Sequence, residues 1–86
     1  MDKETILNNL DIKAFYASQI PLIKWNSSMW GQGLCPFHED QKPSFFANKE
    51  TGIFHCKGCN KRGSIFDFYM EKHSVDFKTA CNALAK

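Results

Sequence analysis

The sequence predicts a small α+β domain in which a short antiparallel sheet is flanked by N-terminal and C-terminal helices. Three observations lead there. Apolar residues recur at helical spacing before residue 20 and after residue 64. The stretch between them is rich in Gly, Pro and aromatics and carries only short apolar runs. Two ligand-type pairs, Cys35/His38 and Cys56/Cys59, lie inside that central stretch. With 86 residues there is room for one core. A chain this short buries only about 60% of the surface its unfolded form exposes, so a disulfide, a metal or a partner is expected to staple it.

The elements follow in order. Asp11 is placed to cap a helix carrying Ile12, Phe15, Tyr16 and Gln19, and Asp2 to cap an earlier turn carrying Ile6, Leu7 and Leu10. Pro21 stops the pattern. Leu22–Trp25, Met29–Leu34, Ser44–Asn48 and Ile53–Cys56 read as short strands. Glu50-Thr51-Gly52 supplies a turn between the last two, with Gly52 free to take a positive φ. Alternation along a strand sends Phe45 and Phe46 to opposite faces, one to the core and one outward. Ser64 is an N-cap for Ile65, Phe66, Phe68 and Tyr69, with Asp67 and Glu71 on the exposed side. Asp76 caps a last helix that places Phe77, Ala80, Cys81 and Leu84 on one face. The expected division is helical 2–20, ribbon 22–63 and C-terminal helices 64–85, within one domain spanning 1–86.

Composition narrows the class. A net charge of +2 with 43% hydrophobic residues excludes a disordered charged tail, and no apolar run is long enough to cross a membrane. Met1-Asp2-Lys3-Glu4 does not open a secretory signal, so a cytoplasmic, reducing setting is expected. There the four cysteines are better read as metal ligands or core residues than as disulfides.

Each ligand pair has two residues between its members, and seventeen separate His38 from Cys56. Such spacing lets a tight turn aim two side chains at one ion while backbone N–H groups donate to the sulfurs. Three Cys and one His form a closed tetrahedral zinc set, which predicts one structural Zn2+ on Cys35, His38, Cys56 and Cys59. A redox pair at Cys56 and Cys59 competes, but that motif opens a helix in a thioredoxin-like fold for which the chain lacks length. His55 precedes Cys56 and points to the other face of its strand, His73 reads as a solvated helix end, and Cys81 as a small core residue. A filled coordination sphere leaves no site for a catalytic water, and no paired-carboxylate cluster or phosphate loop is present. By itself the chain is not expected to be an enzyme.

The run Cys35-Pro36-Phe37-His38-Glu39-Asp40-Gln41-Lys42-Pro43-Ser44-Phe45, with Phe54-His55-Cys56-Lys57-Gly58-Cys59 and Gly63-Ser64-Ile65-Phe66-Asp67-Phe68, closely resembles the N-terminal zinc-binding domain of bacterial-type DNA primases. Leu22-Ile23-Lys24, then Trp30 and Leu34, fit upstream. The resemblance implies a zinc ribbon that binds single-stranded template DNA. It also implies help in selecting the initiation site and cooperation with a Toprim-type catalytic domain, in the same chain or a separate one, that makes the RNA primer. The replicative helicase is a further candidate partner; a membrane is not. Gln41 and Lys42 stand where the family favours a basic residue and Thr, Lys57 where it has Phe, and Asn60, Lys61 and Arg62 where it has glycines.

From Lys42 to Arg62 five basic residues face one acid, Glu50. Lys42, Lys49, Lys57, Lys61 and Arg62, with Phe46, Phe54 and His55, are therefore candidate DNA contacts, Trp30 being a further aromatic on which bases stack. Lys57, Lys61 and Arg62 alternatively balance the charge of the thiolates, and Trp30 and Phe54 alternatively fill the core. The rival reading of the whole is a stand-alone zinc-ribbon protein of a phage, plasmid or mobile element that binds DNA or protein without any priming role.

Overall fold

Short local signals set the starts of the helices at Ile12, Ile65 and Phe77, as their caps show. The computed structural model describes residues 3–20, 22–25, 29–37, 39 and 42–85. Asp11 caps α2 (Ile12–Gln19) by accepting from Ala14 N–H at 3.0 Å, after the shorter α1 (Lys3–Asn9). The expected cap Asp2 and the stop at Pro21 lie outside the described residues. Ser64 and Asp67 form a reciprocal capping box at the start of α3 (Ile65–His73): Asp67 N–H donates to the Ser64 hydroxyl, and Ser64 N–H to the Asp67 carboxylate. A Cβ on Gly63 would sit 2.7 Å from that carboxylate, so glycine is what allows the box to close. Asp76 caps α4 (Phe77–Leu84) through Thr79 N–H.

Between the helix pairs the chain forms a simple meander of five antiparallel strands, β1 (Lys24–Trp25), β2 (Trp30–Gly33), β3 (Phe45–Asn48), β4 (Phe54–Cys56) and β5 (Arg62–Gly63), in sequence order. The first strand begins two residues later than expected, because Leu22 takes φ 59°, a left-handed conformation that cannot pair in a ladder. β5 was not legible in the sequence: two residues carry no alternation. Gly52 does turn the β3–β4 hairpin with φ 81°, and the Asn48 carboxamide accepts from Glu50 and Thr51 N–H.

One face of the sheet is buried against the helices. Gly33, Phe45 and Cys56 are in register there, as are Gly31, Ala47 and Phe54, all of them buried. Phe68 of α3 sits at the centre, its ring 5.1–5.8 Å from those of Phe15, Tyr16, Phe37, Phe45 and Phe54. The buried Tyr16 hydroxyl donates to the Gly52 carbonyl at 2.6 Å and ties α2 to the hairpin turn. Burial, then the Asp67 carboxylate, raise its pKa above the usual tyrosine range. Ala80 and Leu84 of α4 join the core and Cys81 is partly buried, but Phe77 stays 42% exposed, tilted against Phe66 with the Lys3 ammonium over its ring. No described helix is long and apolar enough to cross a membrane.

Candidate metal centre and outer sheet face

Three of the four expected ligands converge at one end of the sheet. Cys35 follows β2, Cys56 ends β4 and Cys59 closes the turn beyond it, and their sulfurs all lie within 4.8 Å of one another. The second turn is held by Cys56 N–H to the Lys61 carbonyl and Asn60 N–H to the Cys56 carbonyl, both 2.8 Å. Asn60 there has φ 65°. That explains why Asn can stand where the family has glycine, since it is among the few residues that tolerate this conformation. His38 lies outside the described residues.

The donor set fits zinc. A Zn–S bond of about 2.3 Å places two sulfurs of a tetrahedron about 3.8 Å apart. Cys35 Sγ and Cys59 Sγ are separated by 3.8 Å, far beyond a disulfide bond of about 2.05 Å. Phe37 N–H donates to Cys35 Sγ at 3.4 Å, the turn hydrogen bond the spacing calls for. Without a cation, burial pushes the Cys35 thiol up to about 12, with Cys56 and Cys59 adding to the rise and the Phe37 N–H opposing it. A divalent ion removes that penalty, because a coordinating thiol is deprotonated outright. Among the described residues this is the sole cluster of three metal-binding side chains. The centre holds one structural zinc.

The outer face of the sheet carries a different chemistry. Lys24 pairs with Gln32, Gln32 with Phe46, Phe46 with His55, and His55 with Arg62. Residues directly opposite in antiparallel strands project to the same side. These five therefore form one row across every strand, roughly 19 Å long at about 4.8 Å per strand. Each is exposed or half-buried, whereas the neighbouring row through Gly31, Ala47 and Phe54 is buried. Trp30, Phe46, His55 and Lys57 line a depression of about 210 Å³, and the Lys57 ammonium lies 4.9 Å from the Phe46 ring centroid.

The candidate contacts separate accordingly. Phe46, His55, Lys57 and Arg62 share this surface, with Trp30 beside them. Lys42 is exposed in the segment entering β3, and Lys49 is half-buried in the hairpin turn. Phe54 is a correction: only 2% exposed and stacked on Phe45 at 5.5 Å and 8°, it has no face to offer a base. Lys61 turns away from the sheet face and donates to the Glu71 carboxylate of α3 at 2.6 Å. Its pKa is raised by Glu71 first, and then by the nearby Cys59 and Cys35 sulfurs, as a charge-balancing role requires. Lys24 and Gln32 escaped sequence reasoning, although Gln32 stands two residues from Trp30 and so on the same face.

A cysteine-rich metal centre at one end of a five-stranded meander, with helices covering one face, defines a zinc ribbon. The sequence model of the CHC2 zinc finger family matches residues 2–86. A DNA primase of Borreliella burgdorferi is 37% identical over 79 residues, covering 92% of this chain and 15% of the relative. A DNA primase of Thermotoga maritima is 34% identical over 83 residues, covering 96% and 14%. The crystal structure of the Aquifex aeolicus primase zinc-binding and RNA polymerase domains superimposes with a TM-score of 0.80 at 24% identity, over 95% of this chain and 20% of that one. The chain belongs to the CHC2 zinc finger family, as a zinc ribbon of the bacterial DNA primase type. It spans about a seventh of the length of the curated primases it matches.

Proposed function

We propose that residues 1–86 act as one domain whose outer sheet face holds single-stranded template DNA for a primase catalytic domain, in the same chain or a separate one. In this reading His38 completes the zinc sphere begun by Cys35, Cys56 and Cys59. The observation that carries the proposal is the row Lys24–Gln32–Phe46–His55–Arg62. Cations at both ends of the row suit phosphates, and the aromatic at its middle suits a stacked base, the combination by which single strands are bound. Zinc contributes by fixing the turns at Cys35 and Cys56–Cys59, and so the register of β3 and β4 that aligns Phe46 with His55.

Binding by one module with few phosphate contacts is weak, yet tethering to a polymerase raises its local concentration enough to matter. The test has two parts. Fluorescence anisotropy with a labelled single strand should show zinc-dependent binding that weakens steeply as salt rises, and Phe46→Ala should weaken it further while keeping zinc. Ribonucleotide priming by a cognate catalytic domain should then change in start site or yield when this domain is supplied. Zinc-loaded protein that ignores single strands at low salt would overturn the reading and favour a protein-interaction module. Binding without any effect on priming would favour the stand-alone alternative.

A further inference from the structure

We infer that Gln32 reads the edge of the base that stacks on Phe46, and that it selects cytosine and adenine through their exocyclic amino groups. This rests on the nucleic-acid reading of the outer face and names what that face prefers. Gln32 stands directly across from Phe46 in the ladder, between it and Lys24. Its side chain is exposed, yet its amide is not free to rotate. Nε2 donates to the Pro43 carbonyl at 2.6 Å. A carbonyl only accepts, so the nitrogen must face Pro43 and uses one of its two N–H groups there, and the amide oxygen is the acceptor left to a ligand. Among the described residues nothing donates to that oxygen. The result is a preoriented acceptor one strand away, about 4.8 Å across the sheet, from an aromatic ring over which the Lys57 ammonium lies and from which a stacking base displaces it.

An acceptor in that place forms a hydrogen bond with the amino group of cytosine or adenine. Opposite a thymine or uracil carbonyl the same oxygen meets another acceptor and must be left unpaired or rehydrated. Lys24 on one side and His55 on the other flank the same rung, so the sugar–phosphate has a cation within reach while the base edge faces the amide. A purely structural role, clamping the segment before β3 to β2, predicts no such preference.

The two strands that separate these cases are oligodeoxycytidine and oligodeoxyuridine of equal length. They are similar in charge and size; at the Watson–Crick edge cytosine presents its exocyclic amino group beside an accepting N3, where uracil presents a carbonyl beside an N3–H. The zinc-loaded chain should bind the cytidine strand about threefold to tenfold more tightly, the range one net hydrogen bond supplies. Gln32→Leu keeps the volume and loses the acceptor. It should erase the cytidine preference, so that the two strands bind within about twofold of each other, and retain zinc. Equal affinity of the unaltered chain for both strands, or a preference that survives in Gln32→Leu, overturns the inference while the DNA-binding reading stands. Failure to bind either strand overturns both.

Discussion

Lys57 and Lys61 stand four positions apart and serve opposite faces. Lys57 lies over the Phe46 ring on the outer face, and Lys61 is joined to Glu71 beside the cysteine cluster. Lys57→Ala should therefore weaken single-strand binding severalfold and reduce its salt dependence by about one counterion. Lys61→Ala should leave that binding nearly unchanged and instead speed zinc transfer to a chelator, because an exposed cation near the thiolates is lost. Comparable loss of DNA affinity in both variants would show that Lys61 leaves Glu71 for the nucleic acid. At this scale the sequence was informative wherever chemistry is local. The two-residue spacing of Cys56 and Cys59, the outward turn of His55 and the opposite faces of Phe45 and Phe46 all follow from adjacency. The use of Lys61 does not, since its partner lies ten residues on, across a strand and a helix cap. Phe54 was equally ambiguous, because a core aromatic and a stacking aromatic look alike until the helices are placed.

The helices were legible because their caps are written in adjacent residues. Ser64→Ala removes one half of the box at α3 and should cost about 1 kcal/mol in denaturant unfolding, with zinc content unchanged. A loss below the error of the measurement would mean that Asp67 holds the helix start alone. β5 and the late start of β1 were not legible, because their positions depend on long-range pairing and on the left-handed Leu22. The same holds for the tie between α2 and the hairpin turn. Tyr16→Phe leaves the buried Gly52 carbonyl without its donor and should destabilise the fold by about 1–2 kcal/mol near neutrality. The pH dependence has a defined sign. Burial, then Asp67, hold the Tyr16 pKa above its ordinary value of 10. The stability this represents is present below pH 10 and is lost as the pH rises above it. The variant should accordingly show a flatter alkaline limb in denaturation midpoint against pH. Parallel alkaline limbs would place the titrating group elsewhere.

At the scale of the molecule, the fold class and the zinc were readable because a chain this short has few ways to hold together. Among the described residues fourteen make up the buried hydrophobic core, Cys35 and Cys56 included, so the metal centre and the core are one structure. Chelation should therefore release β3 and β4 as well as the ion, and circular dichroism and zinc content should fall together. A metal-free chain with an unchanged spectrum would separate the two. The meander also determines where the sheet could grow. Its two outer strands, β1 and β5, are two residues each, while the longer β2, β3 and β4 are enclosed between them. An edge that short offers a neighbouring molecule almost no ladder to extend, and Lys24 and Arg62 put a positive charge on each side. Loss of the metal frees the aromatic runs Phe45–Asn48 and Phe54–Cys56 from that enclosure. The ion thus acts as a safeguard against strand-to-strand self-assembly, and the chelated chain should turn into β-rich aggregate where the zinc-loaded chain stays dispersed.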